Sequence, residues 1–214
     1  MKEKKVSTLY IVRHGRTDWN AQGRLQGSMD RPLDEVGWQQ AHAVGNELSR
    51  LQVAAIYSSP LLRAKQTADA INTFHKCNVH LETGLREAAY GDIEGMTITE
   101  FRTRFKESIE QKLKLPVQEQ WKHKLSHGAE SCEEITARAL PALKKIASKH
   151  QNETVIIVSH GYVLSAIVSN LSLISDEHVR IPNCSVVIME GDEEDLKLIH
   201  YAGIAGAGEP TKRL

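Results

Sequence analysis

Two apolar runs of this chain end in the same pair of residues. Leu9-Tyr10-Ile11-Val12-Arg13 leads into His14-Gly15, and Val155-Ile156-Ile157-Val158-Ser159 leads into His160-Gly161. Runs rich in Val and Ile read as strands buried on both faces of a parallel sheet, and such sheets bind ligands beyond the carboxyl ends of their strands. If the two strands are neighbours, His14 and His160 meet there although most of the chain separates them. The glycine after each histidine is expected to let backbone approach a ligand closely. A lone histidine would read as a hydrogen-bonded structural residue, whereas two in matching contexts point to catalysis.

The residues around the first histidine narrow the chemistry. Arg13-His14-Gly15-Arg16-Thr17-Asp18-Trp19-Asn20 places a nucleophile that can be neutral beside a permanent cation, which suits attack on an anion. Phosphate is the natural candidate: a guanidinium forks two N–H donors onto its oxygens, and a neutral imidazole nitrogen can attack phosphorus and hold the phosphoryl group covalently. A second arginine is then expected, and Ser58-Ser59-Pro60-Leu61-Leu62-Arg63 supplies one. Ser59 reads as an N-cap and Pro60 as the first helical residue, so Arg63 falls in a first turn where its charge opposes the helix dipole. A bound anion would offset that cost, making this helix start a phosphate site. The competing reading is a solvated surface arginine.

These residues carry a family resemblance. The chain resembles the histidine phosphatase superfamily, which includes cofactor-dependent phosphoglycerate mutases and broad-specificity acid phosphatases, from Leu9 to about His200. The matching parts are Arg13-His14-Gly15 with Thr17 and Asn20, Gly23-Arg24-Leu25-Gln26-Gly27, Pro32-Leu33 with Gly37, Ser58-Ser59-Pro60 with Arg63 and Thr67, Leu85-Arg86-Glu87, Gly91-Asp92-Ile93-Glu94-Gly95, Glu130-Ser131 and Ser159-His160-Gly161. Each is weak alone; their order and spacing together are specific. The resemblance implies an α/β fold of three α/β/α layers with a mostly parallel central sheet and a helical cap insertion. It implies that His14 is the phosphorylated nucleophile, that Arg13, Arg63 and His160 bind the phosphoryl group with help from Asn20, and that Glu87 is the proton donor. Gln26, Gly27, Tyr90 and Gly161 complete the expected substrate-binding set. No cofactor or metal is implied.

The residues speak to the proton donor separately. An alkyl phosphate leaves as a poor alkoxide unless protonated, and a carboxyl group beside bound phosphate is favoured in its acid form by like charge. Glu87, Asp92, Glu94 and Glu130 are the candidates. Glu87 follows the strand signal Val79-His80-Leu81 by a short polar link and so can reach the rim that carries His14. Asp92 and Glu94 sit in a glycine-bounded turn with ordinary loop roles open to them.

Several elements must position these groups. At 214 residues and 41% hydrophobic, the chain can bury a substantial core, and it reads as a single catalytic domain over 1–214 with a cap-like insertion at about 91–130. A first helix is expected to start at the cap Asp34 and to bury Ala41, Val44, Leu48 and Leu51. A second should run from Pro60 to about Phe74. A third starts at the capping box Ser131-Cys132-Glu133-Glu134 and runs toward His150 with Leu140, Leu143 and Ile146 inward. Pro141 should bend or break it, because an interior proline costs about 3 kcal/mol. Asn183 to Glu190 and Leu196 to His200 read as closing strands around the turn Gly191-Asp192-Glu193-Glu194. Between the second and third helices in sequence, Met96 to Leu125 carries a helical stripe of Ile98, Phe101, Phe105, Ile109 and Leu113. Pro116 should end that helix, and Trp121 offers an aromatic wall for a second short one. This segment either covers the mouth of the site or packs on the sheet edge without touching substrate.

Other patterns exclude function classes. His123 and His127 lie four apart as helical metal ligands would, but no general-base glutamate follows His123 as in a zinc protease. Cys77, Cys132 and Cys184 are odd in number and lack a Cys-x-x-Cys pair, so free thiols in a reducing compartment are expected. The residues before the first strand, Met1 to Thr8, and the short run Leu9 to Val12 do not make a signal or membrane segment, which points to the cytoplasm. Basic and acidic side chains both number 27, so the chain lacks the basic excess of a nucleic-acid binder, and its expected partner is a small phosphate ester. No feature specifies an oligomeric state.

Within the superfamily the choice lies between hydrolysis and transfer back to substrate. A mutase must grip a small acid after transfer, which calls for extra cations. Where phosphoglycerate mutases resemble Glu-Arg-His-Tyr-Gly this chain has Glu87-Ala88-Ala89-Tyr90-Gly91, and where they resemble Gly-Leu-Asn-Lys it has Gly95-Met96-Thr97-Ile98. The expected pocket is therefore poor in extra cations, and the expected activity is metal-independent phosphomonoester hydrolysis through a phosphohistidine. A phosphoglycerate mutase is the alternative; a catalytically idle phosphate-binding module is a third, disfavoured because all the parts are present.

Overall fold

A computed structural model describes residues 5–174 and 179–202. Along the chain it forms β1 (Ser7–Arg13), α1 (Asp18–Ala21), α2 (Glu35–Leu48), β2 (Val53–Ser58), α3 (Leu62–His75), β3 (Val79–Leu81), α4 (Ile98–Arg104), α5 (Lys106–Leu113), α6 (Val117–Gln120), α7 (Cys132–Lys149), β4 (Thr154–Ser159), α8 (Gly161–Ser172), β5 (Val186–Gly191) and β6 (Leu196–Ala202). The strands make one six-stranded sheet in the order β3-β2-β4-β1-β5-β6. β3, β2, β4 and β1 run parallel, and the hairpin β5-β6 extends the sheet antiparallel to β1. β4 thus enters the sheet between β2 and β1, although it follows both in sequence by a long excursion.

Alternation along the strands builds two cores. Leu9, Ile11, Ala55, Tyr57, Val155, Ile157, Val187 and Met189 face α7 and α8, whereas Val12, Ile56, Ile156, Val158 and Val186 face α2 and α3. The result is the expected three-layer α/β/α arrangement with a mostly parallel sheet. β1 and β4 lie at its centre with both faces covered, and each buried Val, Leu or Ile there contributes roughly 1.5–3 kcal/mol.

Most expected elements form. Asp34 caps α2 by accepting from the Gly37 N–H at 2.7 Å, and Ala41, Val44 and Leu48 are buried along it; Leu51 lies just beyond the helix, partly buried. Ser131 and Glu134 make the reciprocal capping box that opens α7. The closing strand β5 starts at Val186, three residues later than expected.

Three expectations are corrected. α3 begins at Leu62, two residues after Pro60, and Ser59 does not cap it. α7 runs through Pro141 without a break. Pro141 and Ala137, whose carbonyl loses its helical donor, are both exposed, so water can satisfy that oxygen while Ala139, Ala142 and Leu143 hold the helix to the core. The stripe from Ile98 to Leu113 forms two helices that meet at Phe105 rather than one, with Ile98 and Leu113 exposed. The expected second short helix forms as α6, and Trp121 at its end packs in the same core as Val117, donating its indole N–H to the Ile174 carbonyl at 3.2 Å.

Candidate active site

The parallel pairing of β1 with β4 puts Arg13 opposite Ser159, so the two histidines that follow emerge side by side from the carboxyl end of the sheet. The His14 N–H donates to the Ser159 carbonyl at 3.0 Å, and the imidazole centroids are 5.1 Å apart. Both rings are buried, at 2% and 0% exposure. His14 Nδ1 lies 2.7 Å from the Gly15 carbonyl. A carbonyl only accepts, so Nδ1 carries the proton and Nε2 keeps a lone pair. Arg63 Nε donates to that Nε2 at 3.2 Å. Burial, then the charges of Arg63 and Arg13, hold the imidazole well below its ordinary pKa, so at neutral pH the ring is neutral and nucleophilic. His160 is held down in the same way by burial, Arg63, His14 and Arg13, and its Nε2 is 2.7 Å from Ser59 Oγ.

Arg63 stands in the first turn of α3 and is fully buried. Its Nη1 and Nη2 donate to the carbonyls of Met29 and Gly27 at 2.8 and 2.9 Å. The same loop satisfies the helix start, because Asp30 Oδ1 accepts from the Leu62 N–H at 2.6 Å in place of the expected Ser59 cap. An acid at that terminus offsets the unfavourable position of Arg63. Arg13 donates through Nη1 to the Ile181 carbonyl at 2.6 Å.

The two glycines after the histidines are also closely approached by protein atoms. A side chain at Gly15 would collide with the Gly37 carbonyl, and a Cβ at Gly161 would come within 3.1 Å of Arg13 Nε. They make room for protein atoms, α2 in one case and the Arg13 guanidinium in the other, although Gly161 also lines the cavity.

That cavity, of about 420 Å³, has His14, Arg13, Arg63, Asn20 and Glu87 on its walls, with Gln26, Tyr90 and Gly161 beside them. Two expected residues are not among its lining: His160 lies fully buried against His14, and Gly27 contributes through its carbonyl to Arg63. Asn20 Oδ1 accepts from Thr17 N–H and Asn183 Nδ2 at 3.1 and 3.4 Å, which leaves its NH₂ for a ligand. Tyr90 is pushed well above the ordinary phenol pKa by burial and by Glu87, so it is a neutral hydroxyl.

Of the four candidate acids, Glu87 alone faces the cavity. Its Oε1 accepts from Ala88 N–H at 3.0 Å and Val163 N–H at 3.3 Å, and its Oε2 from Tyr162 N–H at 3.4 Å, so the amino end of α8 fixes the carboxyl group. Glu130 is engaged by Arg138 at 2.8 and 2.9 Å. Glu94 accepts from Ser28 and Tyr90 N–H groups, and Asp92 is exposed beside His127.

The sequence reading missed three arginines. Arg24, Arg102 and Arg180 also line the cavity, so the expectation of a pocket poor in extra cations is corrected. Arg24 lies inside a motif already singled out, and Arg102 follows Ile98 by one helical turn, so the stripe itself could have pointed to it. Arg180 stands in Val179-Arg180-Ile181-Pro182, where no local pattern marks it. His123 and His127 are apart in role: His123 Nε2 meets Ser108 Oγ at 3.2 Å. Among the described residues no three His, Cys, Asp or Glu side chains are grouped to hold a metal ion, and no helix is long and apolar enough to cross a membrane. The three cysteines are free thiols.

Known proteins share the sequence pattern and the fold of this chain. The sequence profile of the histidine phosphatase superfamily (branch 1) matches residues 9–202. A Bacillus subtilis protein named uncharacterized phosphatase PhoE is 31% identical over 198 residues, 92% of this chain and 94% of the relative. The metal-independent phosphoserine phosphatase of Arabidopsis thaliana is 37% identical over 173 residues, 77% of this chain and 68% of the relative. Among solved structures, a mycobacterial glucosyl-3-phosphoglycerate phosphatase complexed with VO3 superposes with a TM-score of 0.76 at 26% identity, covering 89% of this chain and 96% of that one.

Proposed function

The chain belongs to the histidine phosphatase superfamily, and from that premise we propose that it is a phosphomonoester hydrolase of small metabolites in which His14 Nε2 takes the phosphoryl group. The observation that carries this reading is one nitrogen. His14 Nε2 keeps its lone pair because Nδ1 is committed to the Gly15 carbonyl, and it lies within reach of the Arg63 guanidinium in the cavity that Glu87 also lines.

In this reading Arg13 and Arg63 bind the phosphoryl oxygens, with Asn20 and His160 beside them. Nε2 attacks phosphorus, the ester P–O bond breaks, and Glu87 gives its proton to the leaving oxygen. The Nδ1–H bond to Gly15 stabilises the charge that develops on the ring. Glu87, now a carboxylate, removes a proton from water as that water attacks the phosphohistidine, which releases phosphate and restores both groups. Two arginines, Asn20 and the buried histidines supply the charge stabilisation for which other phosphatases use metal ions. Gln26, Tyr90 and Gly161 would contact the rest of the substrate, and Gly27 acts through Arg63.

The segment at about 91–130 serves in this reading as a cap on one catalytic domain, supported by Ile98, Arg102 and Leu125 on the cavity wall. Three free thiols support a reducing compartment and so the cytoplasm.

The test is a phosphoryl label on the protein after brief exposure to substrate, acid-labile and base-stable as a phosphohistidine is. His14→Ala should abolish both the label and turnover. A label that survives the substitution would place the nucleophile elsewhere.

A further inference from the structure

Glu87 is carried by a turn, residues 84–89, that lies outside the strands, and one side chain gathers the backbone of that turn. Arg138, on α7, donates through Nη1 to the Gly84 and Arg86 carbonyls, both at 2.8 Å, and through Nη2 to the Glu87 carbonyl at 3.2 Å. Its Nε and Nη2 also donate to Glu130 Oε1 and Oε2 at 2.8 and 2.9 Å. A guanidinium has five N–H groups, and these contacts engage all five. None is left for a ligand, and neither Arg138 nor Glu130 lines the cavity.

Glu130 holds the far side of the turn. Its Oε2 accepts from the Ala89 N–H at 2.9 Å, and its own N–H donates to the Ala89 carbonyl at 2.9 Å. Burial raises the Glu130 pKa, but the bonds from Arg138 and Ala89 and the Arg138 charge outweigh it and hold the group below the ordinary range, as a carboxylate. The Arg138 and Glu130 side chains are only 18% and 22% exposed. Desolvation of such a pair offsets much of its attraction, so stability alone is a weak reason for it. Direction is a stronger one.

The Glu87 carbonyl and the Ala88 N–H belong to one planar trans peptide and therefore point in opposite directions. Arg138 takes the carbonyl, and the N–H is thereby turned toward Glu87 Oε1, which it reaches at 3.0 Å. The peptide gripped by Arg138 is thus the one that orients the carboxyl group, together with the Tyr162 and Val163 N–H groups. The turn has independent anchors for its packing: Leu85 and Ala88 are buried, and Ser159 Oγ donates to the Leu85 carbonyl at 2.9 Å.

We propose that Arg138, braced by Glu130, is a positioning residue for proton donation: it sets the peptide that aims the Glu87 carboxyl group at the leaving oxygen, without itself touching substrate. The inference rests on the hydrolase reading with Glu87 as the acid.

Leaving-group dependence tests this. Glycerol 3-phosphate and phosphoserine leave as alkoxides that need a proton, whereas p-nitrophenyl phosphate leaves without one. Arg138→Lys keeps the charge but offers three donors in place of five. Its kcat on the alkyl esters should fall by about tenfold or more beyond any loss on p-nitrophenyl phosphate, since a misplacement of about 1 Å can cost on the order of a hundredfold. Vanadate inhibition should stay at the native level. In a Glu87→Gln background the same substitution should leave the ratio of alkyl to aryl rates unchanged, because no acid remains to be aimed. Glu130→Gln removes the charge but keeps an acceptor for Ala89; it should give a smaller split in the same direction, and it carries the test if Arg138→Lys does not fold. Equal slowing of both ester types by the folded variants, or a split undiminished in the Glu87→Gln background, overturns the positioning role and leaves the hydrolase reading intact. Glu87→Gln without a split of its own removes Glu87 as the acid, and native protein that turns over neither alkyl ester removes the hydrolase reading; either result takes the positioning role with it.

Discussion

The inner and outer ends of the cavity are built on opposite principles. At the inner end Arg63 and His160 are 0% exposed and His14 2%, and their positions are dictated by strand register, by the Gly15, Gly27 and Met29 carbonyls and by Ser59. At the outer end Arg102 and Arg180 are exposed, and among the described residues nothing holds their guanidinium groups. A group whose surroundings are packed before substrate arrives costs no reorganisation during reaction, which is what charge stabilisation of a transition state needs. Groups on loops and short helices can be exchanged without disturbing the core. In the proposed reading, chemistry is tied to the centre of the sheet and substrate choice to its margins.

Replacing arginine by lysine at each end gives the sharpest test of that contrast. Arg63→Lys keeps a charge but loses the fork that reaches His14, Met29 and Gly27 together, so kcat should fall by about a hundredfold or more and vanadate inhibition should weaken in parallel. Arg180→Lys should cost only a few-fold, since a flexible ammonium at an exposed rim still attracts an anion. Equal losses at the two positions would erase the distinction.

Glu87 sits where the two ends meet, fixed by the N–H groups of α8 yet facing the cavity. Glu87→Gln should slow hydrolysis of an alkyl phosphate by about a hundredfold more than that of p-nitrophenyl phosphate, whose leaving group needs no proton. Asp92→Asn and Glu94→Gln should show no such split. Equal slowing of both esters by Glu87→Gln would make the residue an organiser of the site.

The smallest effect concerns stability. His14 and His160 have folded pKa values held below the ordinary 6.5. The unfolded chain therefore takes up protons first as pH falls, so their contribution is fully present above about 6.5 and is lost as pH drops below it toward the folded values. The urea midpoint should fall between about pH 7.5 and pH 5.5, above the range where carboxylates with lowered pKa such as Asp18 and Glu134 begin to titrate. His160→Gln should reduce that fall. An undiminished fall in the variant would assign it to other groups.

Much of the inner end was legible in the residues. The Arg-His-Gly and Ser-His-Gly strand ends, Arg63 at a helix start and Glu87 after β3 are local patterns whose physics does not depend on distant partners. The outer end was not legible. Arg180 carries no local sign of a role and Arg102 only its place one turn after Ile98, because an exposed arginine on a helix or a loop looks the same whether it faces solvent or a cavity. The same limit explains α3, where Ser59 looked like the cap until a loop more than thirty residues earlier in the chain brought Asp30 to the helix start and left Ser59 for His160.

Hydrophobic periodicity, capping residues and the two histidine motifs thus determined by themselves the α/β class, most of the elements and the phosphoryl chemistry, since strand burial, helix starts and the pairing of imidazole with guanidinium are set within a few residues. The tertiary structure alone decided that β4 lies beside β1, that Gly15 and Gly161 make way for α2 and Arg13, and that three further arginines share the cavity. Those are relations between segments far apart in the chain, and they are settled by how two cores close on the sheet, which no local pattern encodes.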